Sequence, residues 1–363
     1  MPLEKRKALP MKRIEVLETW TGPGDRDEVI VPLKPLENAA HHIETRNFFE
    51  HWYFDAHLEN GYVVIGFLQP AELITKKPGV ELHVYKPSGE KLSVTRAYKD
   101  SDVRASESKC DVWVGDNHAY AEYPEGGGLP VYHLHIAEGN MEADLTFESE
   151  IPGWKPGAGR TNYGETEFFA WVVPAPRAKV EGTVKIADET LKARGIGYHD
   201  HNWGIGDMRR IISYWYWGRI YAGEFTLLYA NVMTRKRYAN ACSTPFMLAR
   251  GDEVILSTGE MSLSGSKPVF NKVANREYPS SVVIEVPGSV LLRLDVKDVI
   301  DAHNLLLDVS PVFSNRVVER IANRLIGRPG YFRFNSEFSL HVEHGGESYD
   351  RTGTTLHEMV ALQ

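Results

Sequence analysis

The sequence predicts an all-β fold of antiparallel strands, a sandwich or a barrel, on three observations. Apolar and polar residues alternate with period two over short runs. Turn signals rich in Gly, Asn and Pro separate those runs. Residues that favour β-structure abound, with 17 Tyr, 14 Phe and 8 Trp in 363 residues.

In chain order, strands are expected at Glu81–Tyr85, Leu92–Thr95, Val131–Ile136 and Ala143–Phe147, where alternation is clear or nearly so. The turns between them fall at Glu59-Asn60-Gly61, Lys86–Gly89, Glu125–Gly128 and Glu138-Gly139-Asn140. The pattern resumes at Val282–Val286, Val290–Leu294 and Phe338–Val342. One segment departs from it. Over Ser314–Gly327, apolar Val317, Val318, Ile321 and Leu325 follow helical spacing, Ser314 fits the N-cap and Gly327 the C-cap. This predicts one short amphipathic helix lying on a sheet in the C-terminal half.

Pro174-Ala175-Pro176-Arg177-Ala178-Lys179 reads as a linker, which divides the chain into domains 1–174 and 175–363. The halves echo each other. Trp52-Tyr53-Phe54 leads through a Gly-containing turn into Tyr62–Phe67, and Trp215-Tyr216-Trp217 leads in the same way into Glu224–Tyr229. The parallel supports a tandem duplication.

A formal net charge of −8 argues against a nucleic-acid partner, whose phosphates need a basic patch. The basic run of Lys5 to Lys7 with Lys12 and Arg13 reads as a solvated tail. No stretch has the length and apolarity of a spanning helix, and the N-terminus has no apolar signal core. Cys110 and Cys242 fit two free thiols better than a long-range disulfide. The expectation is a cytoplasmic protein.

The chemistry concentrates in Gly197-Tyr198-His199-Asp200-His201-Asn202-Trp203-Gly204. On a strand His199 and His201 share a face, a spacing that metal sites use, with His133 and His135 as the available further ligands. Equally, alternating histidines occur in strands that bind nothing. No Gly-x-Ser-x-Gly, dinucleotide fingerprint or phosphate loop is present. An acid–base reading needs a proton donor desolvated among aromatics. Trp203, Trp215, Trp217, Tyr214, Tyr216 and Tyr229 supply such a wall, or else simply fill a core.

Together, Gly195–Gly204, the Pro-x-Pro junction, the aromatic strands of both halves and Gly353–Val360 resemble the carotenoid 1,2-hydratase (hydroxyneurosporene synthase) family. Its wider superfamily includes fungal Diels–Alderase-type cyclases. The resemblance runs from about Glu44 onward. It implies two tandem lipocalin-like (calycin) barrels with a pocket near their junction, and no metal or cofactor. It also implies functional roles for His201 and Trp203, and for a Tyr-x-Asp that here reads Tyr229-Ala230-Asn231. An amide delivers no proton, so hydration requires Asp200, Asp207, Asp55 or Glu224 to act instead. Asn231 otherwise suits orienting a substrate for cyclisation or isomerisation.

The expectation is therefore a cofactor-independent hydratase, isomerase or cyclase acting on a bulky polyene or terpenoid. Catalysis would rest on His201, Asp200, Tyr229 and Asn231, with Trp203, His199, Trp215, Trp217, Trp52 and Asp55 around the substrate. The alternative is a non-catalytic lipid or terpenoid carrier. No nucleic-acid partner is expected, and transient membrane contact would serve to collect substrate.

Overall fold

The computed structural model describes residues 13–17, 30, 33–306 and 327–363. Their secondary structure is almost wholly antiparallel strand, arranged as a 13-stranded sheet, a 10-stranded sheet and a small hairpin. The expected all-β class holds.

In the first sheet β1 (Phe48–Leu58) lies between β2 (Val63–Ala71) and the late strand that returns to it. Before that return comes β3 (Glu167–Ile186), which turns directly into β4 (Glu189–Ile205), the strand that pairs with β1. A single helical turn, α1 (Met208–Ile211), follows, its N-terminus capped by the Asp207 side chain accepting from the Arg209 N–H. The second sheet repeats the plan. β5 (Ile212–Ala222) pairs with β6 (Phe225–Thr234) on one side. β7 (Gly330–His344) turns into β8 (Glu347–Ala361), which returns to the other side of β5. Both echoing aromatic triplets thus begin the same strand order, as a duplicated unit would.

Each sheet curls around its own core, in the manner of a lipocalin-like barrel. The first encloses Trp52, Phe54, Leu82, Leu134, Leu145 and Phe147. The second encloses Ile220, Leu227, Phe246, Leu292, Phe332 and Phe338. A third cluster, with Trp154, Trp171, Tyr198, Leu228 and Met247, packs one sheet on the other. Across this junction the buried Arg219 guanidinium on β5 forms a bidentate ion pair with Asp55 on β1. The Tyr221 hydroxyl donates to the carbonyls of Pro176 and Gly197 at 3.1 and 3.2 Å.

One expectation about organisation changes. Pro174-Ala175-Pro176 is not a linker between strands but lies inside β3, where the pairing with β4 skips from Val172 to Ala175 and again to Ala178. A proline has no N–H for the ladder, and an irregularity is where a strand tolerates one. The chain passes from the first sheet to the second at 206–211. The helix expected over Ser314–Gly327 lies outside the described residues, Gly327 apart. Cys110 and Cys242 are not joined to each other, as expected. Among the described residues no helix is long and apolar enough to cross a membrane.

Candidate active site

Period two decides what the HDHNW strand can do, because neighbouring side chains point to opposite faces of the sheet. β4 pairs with β1 in continuous register, His199 opposite Phe54, Asp200 opposite Tyr53 and His201 opposite Trp52. The odd-numbered set faces the first core. His201 stacks on Trp52 with ring centroids 4.0 Å apart, and His199 stacks on Phe54 at the same distance. Gly197 shares that face, where a Cβ would lie 2.5 Å from Phe147 and Val180. The even-numbered set, Tyr198, Asp200 and Asn202, faces the second sheet together with Asp55, Tyr53 and His51 across the ladder.

That even-numbered face forms one wall of a cavity of about 420 Å³ between the sheets, a size suited to a small organic ligand. His51, Tyr53, Phe67, Trp171, Asp200 and Asn202 line it from the first sheet. Trp215, Trp217, Ala230, Val232 and Tyr331 line it from the second. Polar groups gather in one part of the lining. There Arg333 binds Glu358, Glu358 also accepts from the Tyr331 hydroxyl at 2.9 Å, and Lys91 pairs with Asp301 at 2.8 Å.

Asp200 is the buried carboxyl in the mostly apolar part of this lining. Burial pushes its pKa up to about 7, and the charge of Asp55 adds to the rise. Three donors work in the other direction: Tyr198 OH at 2.8 Å, Trp171 Nε1 at 3.1 Å and Asn202 Nδ2 at 2.8 Å. The balance leaves a carboxyl that can hold or release a proton near neutrality. His51 sits opposite Asn202 with Nδ1 buried and without a hydrogen-bond partner. Burial brings it down to about 4, so the ring is neutral.

Of the ten residues expected at the site, the cavity gathers Asp200, Trp215 and Trp217. The other seven lie elsewhere. His201 is fully buried on the core face and bonds Glu50 at 3.2 Å. His199 meets the Asn38 side chain at 3.1 Å and the Tyr53 carbonyl at 2.9 Å. Trp52 fills the first core, and Trp203 stacks on His41. Tyr229 is packed inside the second core, and Asn231 donates to Cys242 Sγ. Asp55 is engaged by Arg219 in a small recess beside the main cavity. The other two acids weighed as proton donors are also committed, Asp207 to Arg209 and Glu224 to Arg351. His133 and His135 stand on the outward face of their strand beside Glu122 and Asp144, so they do not join His199 and His201 in one metal site.

Sequence reasoning missed His51, Tyr53, Trp171 and Asn202. The signal for two of them was present: Tyr53 sits inside the aromatic triplet and Asn202 inside the HDHNW element, each one residue from a position that was chosen.

Residues 41–285 match the model of the Diels-Alderase-like family. The chain belongs to the Diels-Alderase-like family. A hydroxyneurosporene dehydrogenase from Chlorobaculum tepidum is 39% identical to this Diels-Alderase-like chain over 150 residues, 39% of the chain and 37% of that protein. The quinolone epoxide rearrangement protein penF of Penicillium thymicola is 31% identical over 228 residues, 58% of the chain and 60% of that protein. The matched stretches span less than two thirds of these relatives' length. Among solved structures, CghA with Sch210972 superposes with a TM-score of 0.64 at 13% identity, covering 96% of the chain and 99% of its own. Kievitone hydratase from Nectria haematococca gives 0.57 at 12% identity, covering 97% and 98%. These likenesses establish a shared fold.

Proposed function

We propose that the protein is a cofactor-independent enzyme that rearranges or cyclises a largely apolar small molecule by proton transfer from Asp200. The observation that carries this reading is the Asp200 carboxyl, raised to about 7 by burial, in the wall of a cavity bordered by Trp171, Trp215 and Trp217. A carboxyl with that pKa is a competent general acid at neutral pH. Protonation of an olefinic carbon or an epoxide oxygen leaves a cation, which the indole faces stabilise. Loss of a proton to the Asp200 carboxylate or to neutral His51 then completes an isomerisation, with the acid restored either directly or through solvent. Apolar walls keep water from the cation, which favours rearrangement over hydration. The polar group of Arg333, Glu358 and Tyr331 would hold a heteroatom-bearing end of the substrate. The names of relatives that act on quinolone epoxides agree with this chemistry. The same reading takes the two sheets as the two domains, meeting at 206–211.

Incubation with linear terpenoids and aryl epoxides, followed by product analysis, tests the proposal. Conversion by the native protein that Asp200→Asn abolishes is the expected result. Tight retention of an unchanged apolar ligand, with no product from any of them, would mark a carrier instead.

A further inference from the structure

We propose that His41, Glu50 and His201 form a divalent-metal site, suited to zinc, on the core side of the HDHNW strand and separate from the cavity. It goes beyond the proposed function and does not depend on it. Three ligand atoms converge there, His41 Nδ1, a Glu50 carboxylate oxygen and His201 Nε2, all within 4.8 Å of one another. Glu50 Oε1 lies 2.9 Å from His41 Nδ1 and 3.2 Å from His201 Nε2. A tetrahedral zinc with bonds of about 2.0–2.1 Å holds its ligand atoms roughly 3.3 Å apart, close to the two spacings that Glu50 makes with the imidazoles. Two imidazoles and one carboxylate are a donor set that zinc accepts, with a further position left for water.

Charge points the same way. Glu50 is buried, yet among the described residues no Lys or Arg forms an ion pair with it; its carboxylate is met by the two imidazoles and by the His41 backbone N–H at 2.8 Å. A buried carboxylate without a fixed cation is costly, and a divalent ion that displaces the imidazole protons aimed at Oε1 supplies one. The ligands are also held in place. His201 stacks on Trp52, and His41 stacks on Trp203 with centroids 3.8 Å apart. His41 gives an entry path, its side chain 26% exposed where those of Glu50 and His201 are 3% and 0%. The ion would clamp the segment before β1 to β1 and β4, a structural role.

The test uses the full chain, stripped with chelator and reloaded with zinc or cobalt(II). One equivalent retained through gel filtration, a higher Tm, and cobalt d–d bands without a thiolate charge-transfer band are expected. His41→Ala, at a half-buried position ahead of β1, should weaken binding by at least about tenfold while the far-ultraviolet spectrum is kept, and Glu50→Gln should do the same. His341→Ala controls for the exposed cluster of His341, Glu343 and Asp350. No retained equivalent in the native protein, undiminished binding in His41→Ala, or loss confined to His341→Ala would each overturn the proposal.

Discussion

Trp171 Nε1 lies 3.1 Å from Asp200 Oδ2, an indole N–H donated to a buried carboxyl that also accepts from the Tyr198 hydroxyl and the Asn202 amide. Trp171 belongs to β3 and Asp200 to β4, so adjacent strands fix the orientation of the acid before any substrate arrives. Replacing Asp200 with Asn keeps the shape and removes the proton. Turnover on a converted substrate should fall by about 10²–10⁴-fold with the circular dichroism spectrum unchanged. In the native protein, kcat/KM should decline as pH rises through about 7, where Asp200 loses its proton. A profile flat from pH 5 to about 9 would remove Asp200 from the acid role.

The same group links stability to pH. Its folded-state pKa, about 7, is above its ordinary value of 3.8, so between those limits the folded state holds a proton that the unfolded state has released. Stability from this group is therefore greatest at low pH and falls as pH rises towards 7, by about 4 kcal/mol in all. Half-buried His51 and His57 and buried His199 act with the opposite sign. Their pKa values are lowered to about 4, 4 and 3, so they make the native state lose stability as pH falls below about 6.5. Denaturant titrations of the native protein and Asp200→Asn, compared pH by pH, isolate the aspartate contribution from that of the histidines. A difference between the two that does not change between pH 4 and 7 would contradict it.

Asp55 and Arg219 are a buried pair that joins the sheets, and removing one leaves the other charged and unpaired. Arg219→Gln should cost about 3–5 kcal/mol, and combining it with Asp55→Asn should cost clearly less than the sum of the two single changes. Urea denaturation of the four proteins measures the coupling. Asp55→Asn also removes a charge that raises the Asp200 pKa, so the activity profile should shift to lower pH.

Tyr229 offers a contrast with its expected catalytic role. Its hydroxyl is buried without a hydrogen-bond partner, inside the second core. Tyr229→Phe should therefore be neutral or stabilising by about 1 kcal/mol and leave turnover unaltered. A thermal melt and a single rate measurement are enough to check it.

Ala230 lines the cavity from β6, one residue from Tyr229 and on the other face of the sheet. Ala230→Phe would place a ring in the space that the substrate occupies. The expected result is a rise in KM, or loss of a co-purifying apolar ligand, with little change in Tm.

Much of the architecture was legible in the sequence, because it rests on local rules. Alternation, turn residues and the repeated aromatic triplet are set by backbone geometry and by neighbouring residues, and strands appear at the expected runs. The prolines of β3 misled because proline marks irregular backbone without saying whether the irregularity is a linker or a bulge.

The HDHNW element lies on a strand as its alternation implied, and the acid at its centre lines the cavity. Sequence alone determined that Asp200 and His201 must point in opposite directions, since period two belongs to the strand itself. Only the tertiary structure decided which of them meets the second sheet. That choice depends on the packing of Trp52, Phe54 and Phe147 against the histidine face, and on Trp217, which arrives from the other half of the chain. Those contacts join residues far apart in sequence, and no local pattern encodes them.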